Sequence, residues 1–166
     1  MNGLLKLLLI GALAYGGYDL YQKHYEVQAE PEVVWQSYVL DTVNISVMFP
    51  KAPTVERKSV EGHIVEWQGS RHAAGEYTLV VIQNPDVTLG DYYPNSLVNK
   101  GARLKDKRFI MVDGYDGYEF TLDYNDKLVT QRMISFHNAM VTQTAIYTDH
   151  EVNNGDTEKF LSSLSL

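Results

Sequence analysis

The feature that most constrains this chain is one long apolar stretch at its N-terminus, residues 4–21. As an α-helix this stretch would span roughly 27 Å, at about 1.5 Å per residue. The hydrocarbon core of a bilayer is roughly 30 Å thick, and Lys6 lies near enough to one end for its ammonium group to reach the headgroups. We therefore predict a transmembrane anchor at 1–25, a polar linker at 26–37 and one folded domain at 38–166.

Two other interpretations of this segment stay open. A cleaved signal peptide needs a small-residue site, which Ala12 and Ala14 supply, but the apolar core before them is short. A helix lying on the membrane surface needs a polar face, which residues 7–13 lack. The basic flank, formed by the α-amino group and Lys6, favours the cytoplasmic side. We expect a single pass through a bacterial inner membrane, with the N-terminus cytoplasmic and the C-terminal domain periplasmic.

Composition excludes several classes of function. The net charge of −7 belongs to the residues after Glu26, because Lys6 and Lys23 balance Asp19 and Glu26. An acidic domain is poorly suited to phosphate backbones, so we expect no nucleic-acid partner. The chain contains no cysteine, which rules out disulfides, thiolate zinc sites, iron–sulfur clusters and a cysteine nucleophile.

The rest of the chain shows strand patterns interrupted by two helix patterns. Thr88 can cap a helix over 89–98, and Asp156 can cap a final helix that ends near Leu164. Short turns between consecutive strands favour antiparallel pairing. We expect an α+β fold, with an antiparallel sheet of about six or seven strands and the helices packed on one face. Alternating or continuous apolar runs between turn residues predict the strands at 38–49, 62–68, 77–82, 108–112, 117–124, 127–136 and 140–147.

Several short motifs resemble those of the PsbP-like superfamily, over roughly residues 39–166. They are Phe49-Pro50 with Pro53 close behind, the run 114–119 (GYDGYE) that leads into a strand, Arg132 in the next strand, and the closing run 159–164 (KFLSSL). The superfamily also contains nuclear-transport proteins and bacterial envelope members such as the DcrB-like proteins. The resemblance implies an α/β sandwich that acts as an adaptor or accessory subunit and has no shared catalytic site.

No residues of this sequence match a catalytic or metal-binding motif. The five histidines include no pair spaced for one face of a helix. The acids around Gly114 lack the ligand order of a calcium loop, and no serine lies in a nucleophile elbow. Gly114 and Gly117 themselves are expected to supply positive φ in a tight turn, with a partner-binding loop as the alternative. We therefore expect no enzyme activity, no cofactor and no metal.

Tyrosines and small residues supply the candidate partner-binding positions. The chain has 12 tyrosines, and this residue is enriched at interfaces because it combines a large rigid ring with a polar tip. Half-buried packing is the alternative explanation. Small residues in the anchor would let another membrane helix approach closely. The candidates are Tyr92, Tyr93, Tyr115 and Tyr118 in or beside loops, and Gly11, Ala14, Gly16 and Gly17 in the anchor.

These features predict a non-enzymatic, membrane-anchored accessory or scaffold protein. Its partners would be the membrane, through the N-terminal helix, and another membrane protein or complex on which the periplasmic domain docks. The alternative is an envelope binding protein for a small or lipidic ligand, held between helix and sheet.

Overall fold

The computed structural model describes residues 33–149 and 151–166. The predicted anchor, with Gly11, Ala14, Gly16 and Gly17, lies outside these residues. The strands are β1 (Gln36–Leu40), β2 (Ile45–Phe49), β3 (Thr54–Val60), β4 (His63–His72), β5 (Gly75–Gln83), β6 (Arg103–Val112), β7 (Tyr115–Tyr124), β8 (Lys127–Phe136) and β9 (Ala139–Tyr147). The helices are α1 (Asn95–Val98) and α2 (Glu151–Ser162), and a 3-10 turn covers Leu89–Asp91.

Seven strands form one antiparallel sheet in the order β3-β4-β5-β9-β8-β7-β6, and β1 pairs with β2 in a separate hairpin. Two-residue turns connect β3 to β4, β4 to β5, β6 to β7 and β7 to β8, and the central residues of each have positive φ. Asn125 and Asp126, for which the sequence predicts this conformation, have φ of 48° and 60°. The α+β class and the antiparallel sheet are therefore confirmed.

Alternate residues of the strands build two separate cores, one on each face of the sheet. The first core contains Trp67, Ile82 and Phe120, and it is covered by the segment 84–102 through Tyr92 and Leu97. This segment connects β5 to β6 and carries the 3-10 turn and α1.

The second core lies on the opposite face. It contains Tyr77 and Val141, and it is covered by the β1–β2 hairpin through Phe49 and by α2 through Phe160. The rings of Phe49 and Tyr77 lie 5.4 and 5.3 Å from the ring of Phe160. The two helices therefore pack on opposite faces, and the prediction that they share one face is wrong. The segment 84–102 buries one face of the sheet with its own apolar side chains. The β1–β2 hairpin and α2 bury the other face with theirs.

Some elements differ from the sequence prediction. The strand predicted at 38–49 is the β1–β2 hairpin, because the chain turns at 41–44, where Asn44 has a φ of 53°. The helix predicted at 89–98 is the 3-10 turn followed by the single turn α1. Thr88 precedes the 3-10 turn, and its N–H and hydroxyl donate to the Asp91 carboxylate, which holds the pKa of Asp91 below its ordinary value.

β3 was not predicted, and α2 begins earlier than the expected cap at Asp156. β1 also begins slightly before the predicted domain boundary, and Trp35 packs its ring 5.5 Å from that of Tyr77. None of the helices within 33–149 and 151–166 has the length and apolar character needed to cross a bilayer.

Candidate functional site

The four predicted tyrosines do not form one surface. Tyr92 is only 2% exposed and belongs to the first core. Burial raises the pKa of Tyr92 above its ordinary value, and a hydrogen bond with Ser135 partly offsets this shift. Tyr92 therefore stabilises the cover over the sheet, and its ring offers almost no area to a partner.

Tyr93 and Tyr118 lie together on the first-core face. Their rings are each 6.2 Å from the ring of Phe120, and Tyr118 also packs 5.9 Å from the ring of Phe109. Both tyrosines are half-buried. Tyr115 packs on the opposite face, against the second core. The structure therefore brings two of the four tyrosines into one aromatic row and separates the other two from it.

The edge strand β6 carries large apolar side chains that are exposed. Phe109 is 56% exposed and Met111 is 64% exposed. Their cross-strand partners are Tyr118 and Asp116 of β7, so both side chains lie on the first-core face beside the aromatic row. We call Leu104, Phe109, Met111 and Tyr118 the β6 surface. The apolar run 109–112 is visible in the sequence, but the pattern predicts only a strand there and does not show which of its side chains are exposed.

The N-terminal half of β6 is basic, in a chain that is acidic overall. Residues 103–108 contain four cations and one anion, since the strand reads RLKDKRFIMV. Arg103 and Lys105 lie within 3.6 and 3.2 Å of the Asp123 carboxylate. The Lys107 ammonium lies 4.0 Å from the centre of the Tyr118 ring. The β6 surface is therefore bordered by positive charge.

The residues that carry the resemblance motif have structural roles. Glu119 is buried, and its carboxylate accepts hydrogen bonds from Arg108 and from Arg132 Nε, the latter at 2.7 Å. Arg132 also donates from Nη1 to the carbonyl of Leu161 in α2, at 2.7 Å. These bonds link β6, β7, β8 and α2 by one ionic cluster. Glu119 and Arg132 therefore stabilise the fold, and both charged groups are already paired within the protein.

A cleft of about 460 Å³ opens on the second-core face, at one end of the sheet. The turn between β1 and β2 forms one wall and the β8–β9 hairpin forms the other. We call this the end cleft. Tyr115 lies in it, and its hydroxyl is 2.9 Å from Nε2 of His137. The remaining lining residues are Thr42, Val43, Asn44, Gln83, Asn84, Phe136, Asn138, Ala139 and Leu166.

His137 lines the end cleft from the turn between β8 and β9. It is the first turn residue after β8 and has a φ of 48°, a conformation that favours glycine. Its ring lies 4.5 Å from the Phe136 ring and 5.2 Å from the Tyr115 ring. In the part of the chain that the structure describes, no group of three histidine, aspartate or glutamate side chains could hold a metal ion.

Comparison with known proteins supports the fold. The sequence matches no protein-family model and no curated protein. Among solved structures it is similar to cyanobacterial PsbP (CyanoP) from Synechocystis, with a TM-score of 0.54 and 11% identity over 87% of this chain and 99% of that chain.

The crystal structure of PA94 from Pseudomonas aeruginosa, a protein of unknown function, aligns with a TM-score of 0.39 and 15% identity, over 75% of this chain and 90% of that one. A score this low does not bear on the fold. The similarity to cyanobacterial PsbP does bear on the fold, and it agrees with the motifs at Phe49-Pro50 and residues 114–119. The chain therefore has a PsbP-like fold.

Proposed function

We propose that this chain is a non-enzymatic, membrane-anchored accessory protein whose folded domain docks on a membrane protein complex. The docking site is the β6 surface, and the domain lies on the periplasmic side of a bacterial inner membrane. The observation that carries the proposal is the exposure of Phe109 and Met111 on an edge strand, beside the half-buried ring of Tyr118. Exposed apolar side chains that adjoin one another are typical of interaction sites.

The charge on β6 defines the chemistry of the partner. Lys107 lies next to the apolar side chains on the same strand, with its ammonium 4.0 Å from the centre of the Tyr118 ring. A partner that presents apolar residues flanked by carboxylates would bury its apolar residues against those of the β6 surface. Its carboxylates would pair with the positive charge on β6. The rest of the domain is acidic, so it would repel such a partner and favour this one orientation.

The backbone of β6 offers a second means of recognition. In the sheet of the described residues β6 is the last strand, so its outer edge pairs with no other strand. A register shift between Leu104 and Asp106 and the adjacent lysines protect the first half of this edge. The second half, residues 108–112, has no such protection. An extended segment of the partner could add to the sheet there.

The PsbP-like fold supports the same class of function, because members of that superfamily act as adaptors or accessory subunits. The alternative of a lipidic ligand between helix and sheet receives less support. Among the described residues, both covers fill the adjacent space with their own side chains, Leu97 under α1 and Phe160 under α2.

Site-specific photocrosslinking tests the docking surface. A benzophenone amino acid replaces Phe109 in the full-length protein, which is expressed in its native host and irradiated in intact cells. We expect a covalent adduct with a membrane protein, identified by mass spectrometry, because position 109 lies at the centre of the β6 surface. The additional substitution Lys107→Glu should weaken this adduct, since it reverses the local charge.

The matched control places the same group at Val55. This residue is 60% exposed and lies on β3, the edge strand at the other end of the sheet. It should not give the adduct seen at position 109. Equal adducts at both positions, or none at position 109, would contradict docking through the β6 surface.

A further inference from the structure

The end cleft has the size and shape of a small-molecule site, and the proposed docking function does not use it. Its volume of about 460 Å³ falls within the roughly 300–1,000 Å³ typical of ligand pockets. It lies on the second-core face and shares no residue with the β6 surface. A ligand in the cleft would therefore leave the docking surface accessible.

The lining of the end cleft mixes polar and apolar side chains and includes no lysine, arginine, aspartate or glutamate. Four carboxamides line it, and none of them makes a side-chain hydrogen bond to the described part of the protein. Each carboxamide offers two N–H donors and one carbonyl acceptor. The cleft can thus both donate and accept, and its side chains provide no cation for an anionic ligand. These carboxamides belong to Asn44, Gln83, Asn84 and Asn138.

An aromatic group lies beside these carboxamides. The Tyr115 ring packs edge-on at 4.8 Å from the Phe136 ring, and His137 contacts both. The bond between the Tyr115 hydroxyl and His137 Nε2 joins the floor of the cleft to the turn after β8.

We propose that the end cleft binds a neutral saccharide. Sugar hydroxyls donate and accept together, as the carboxamides require, and the C–H face of a sugar ring packs on aromatic rings. A phosphate or carboxylate ligand would find no cation among the lining side chains. A lipid chain would desolvate the carboxamides without giving them hydrogen-bond partners. Of these ligand classes, a saccharide leaves the fewest polar groups of the cleft without a hydrogen-bond partner.

Titration with disaccharides tests this proposal. The probes are maltose and N,N′-diacetylchitobiose, and the protein is the full-length ¹⁵N-labelled chain in a detergent without a sugar headgroup. We expect saturable shifts of the side-chain amide signals of Asn44, Asn84 and Asn138, with a Kd of about 1 mM or tighter for at least one probe. Tyr115→Phe should weaken binding about threefold to tenfold, because it removes the hydroxyl that positions His137.

Tyr147→Phe is the matched control. It removes a hydroxyl that contacts Thr130 Oγ1 at 3.3 Å, at the other end of the β8–β9 hairpin, and it should leave the Kd unchanged. The absence of saturable shifts with both disaccharides would overturn the proposal. So would shifts that map outside the cleft, or shifts at the cleft carboxamides with a tetra-alanine peptide but with neither sugar. None of these outcomes depends on docking through the β6 surface.

Discussion

At the scale of single residues, two glycines of the same motif have different physical roles. Gly114 has a φ of 85° and provides the turn between β6 and β7, as the sequence predicts. Gly117 was expected to do the same, but it lies inside β7 without positive φ. A Cβ atom at Gly117 would lie 2.6 Å from the carbonyl oxygen of Met133 and 3.0 Å from Cγ1 of Ile134. Gly117 therefore permits close approach of β7 and β8.

Gly117→Ala should destabilise the protein. Because the nearest atom belongs to the backbone of the paired strand, the clash can be relieved only by moving that strand. We expect the free energy of unfolding to fall by about 1–3 kcal/mol, the usual cost of overpacking. The measurement is chemical denaturation of the full-length protein, followed by circular dichroism.

Gly155→Ala is the control for this change, because it makes the same substitution in α2, where no atom lies within 4 Å of the added Cβ. It should raise the free energy of unfolding by up to about 1 kcal/mol, since alanine is the better helix former. If both variants changed stability in the same direction, the packing role of Gly117 would be wrong.

At the scale of elements, one arginine connects strands of the sheet to the end of a helix. Arg132 of β8 pairs with Glu119 of β7 and donates to the carbonyl of Leu161 in the last turn of α2. A cation is favoured at this position, because the last carbonyls of a helix carry partial negative charge. Arg108 also pairs with Glu119 but is 62% exposed. The two arginines therefore contribute unequally.

Arg132→Leu should lower the free energy of unfolding by about 2–3 kcal/mol, somewhat below the cost of breaking a fully buried ion pair, because Arg108 still neutralises Glu119. Arg108→Ala should cost less than about 1 kcal/mol, as exposed ion pairs do. Chemical denaturation of both variants under identical salt conditions gives the comparison. A cost for Arg108→Ala equal to that for Arg132→Leu would contradict the assignment of Arg132 as the connecting residue.

The elements that the sequence predicts well are those whose side chains alternate between two environments. β5, β7, β8 and β9 lie in the interior of the sheet and were all predicted. β3 was missed because its residues are mostly exposed and charged, which leaves no apolar alternation to detect. β1 and β2 were merged into one strand because the alternation continues, in phase, through the turn at 41–44. A turn without glycine or proline leaves little signal.

The candidate sites were less predictable than the fold. The sequence singled out tyrosines by residue type, but type does not distinguish Tyr92 in the core from Tyr118 on the surface. The end cleft could not be predicted either, because it joins Asn44 and His137, which are far apart in the chain. Only the pairing of β8 with β9, and the packing of the β1–β2 hairpin over the second core, bring those residues together.

At the scale of the whole molecule, one sheet separates two cores and also separates the two proposed sites. The β6 surface lies on the first-core face at a lateral edge, and the end cleft lies on the second-core face. An N-terminal membrane anchor would hold the domain near the bilayer, which raises its effective concentration beside a membrane partner.

The anchor itself is the last prediction. Because residues 7–13 are apolar on every face and the flank before them is basic, we expect the mature protein to keep its N-terminus and remain in the membrane fraction after a high-salt wash. Its intact mass should then equal the 18.8 kDa of the 166 residues. Protease added to spheroplasts should digest the folded domain, since the positive-inside rule predicts that this domain lies outside the cytoplasm. The contradicting outcome is a shorter mature protein that begins after Ala14 and is released with the periplasmic contents. This would identify the segment as a cleaved signal peptide, and docking would then depend on the β6 surface alone.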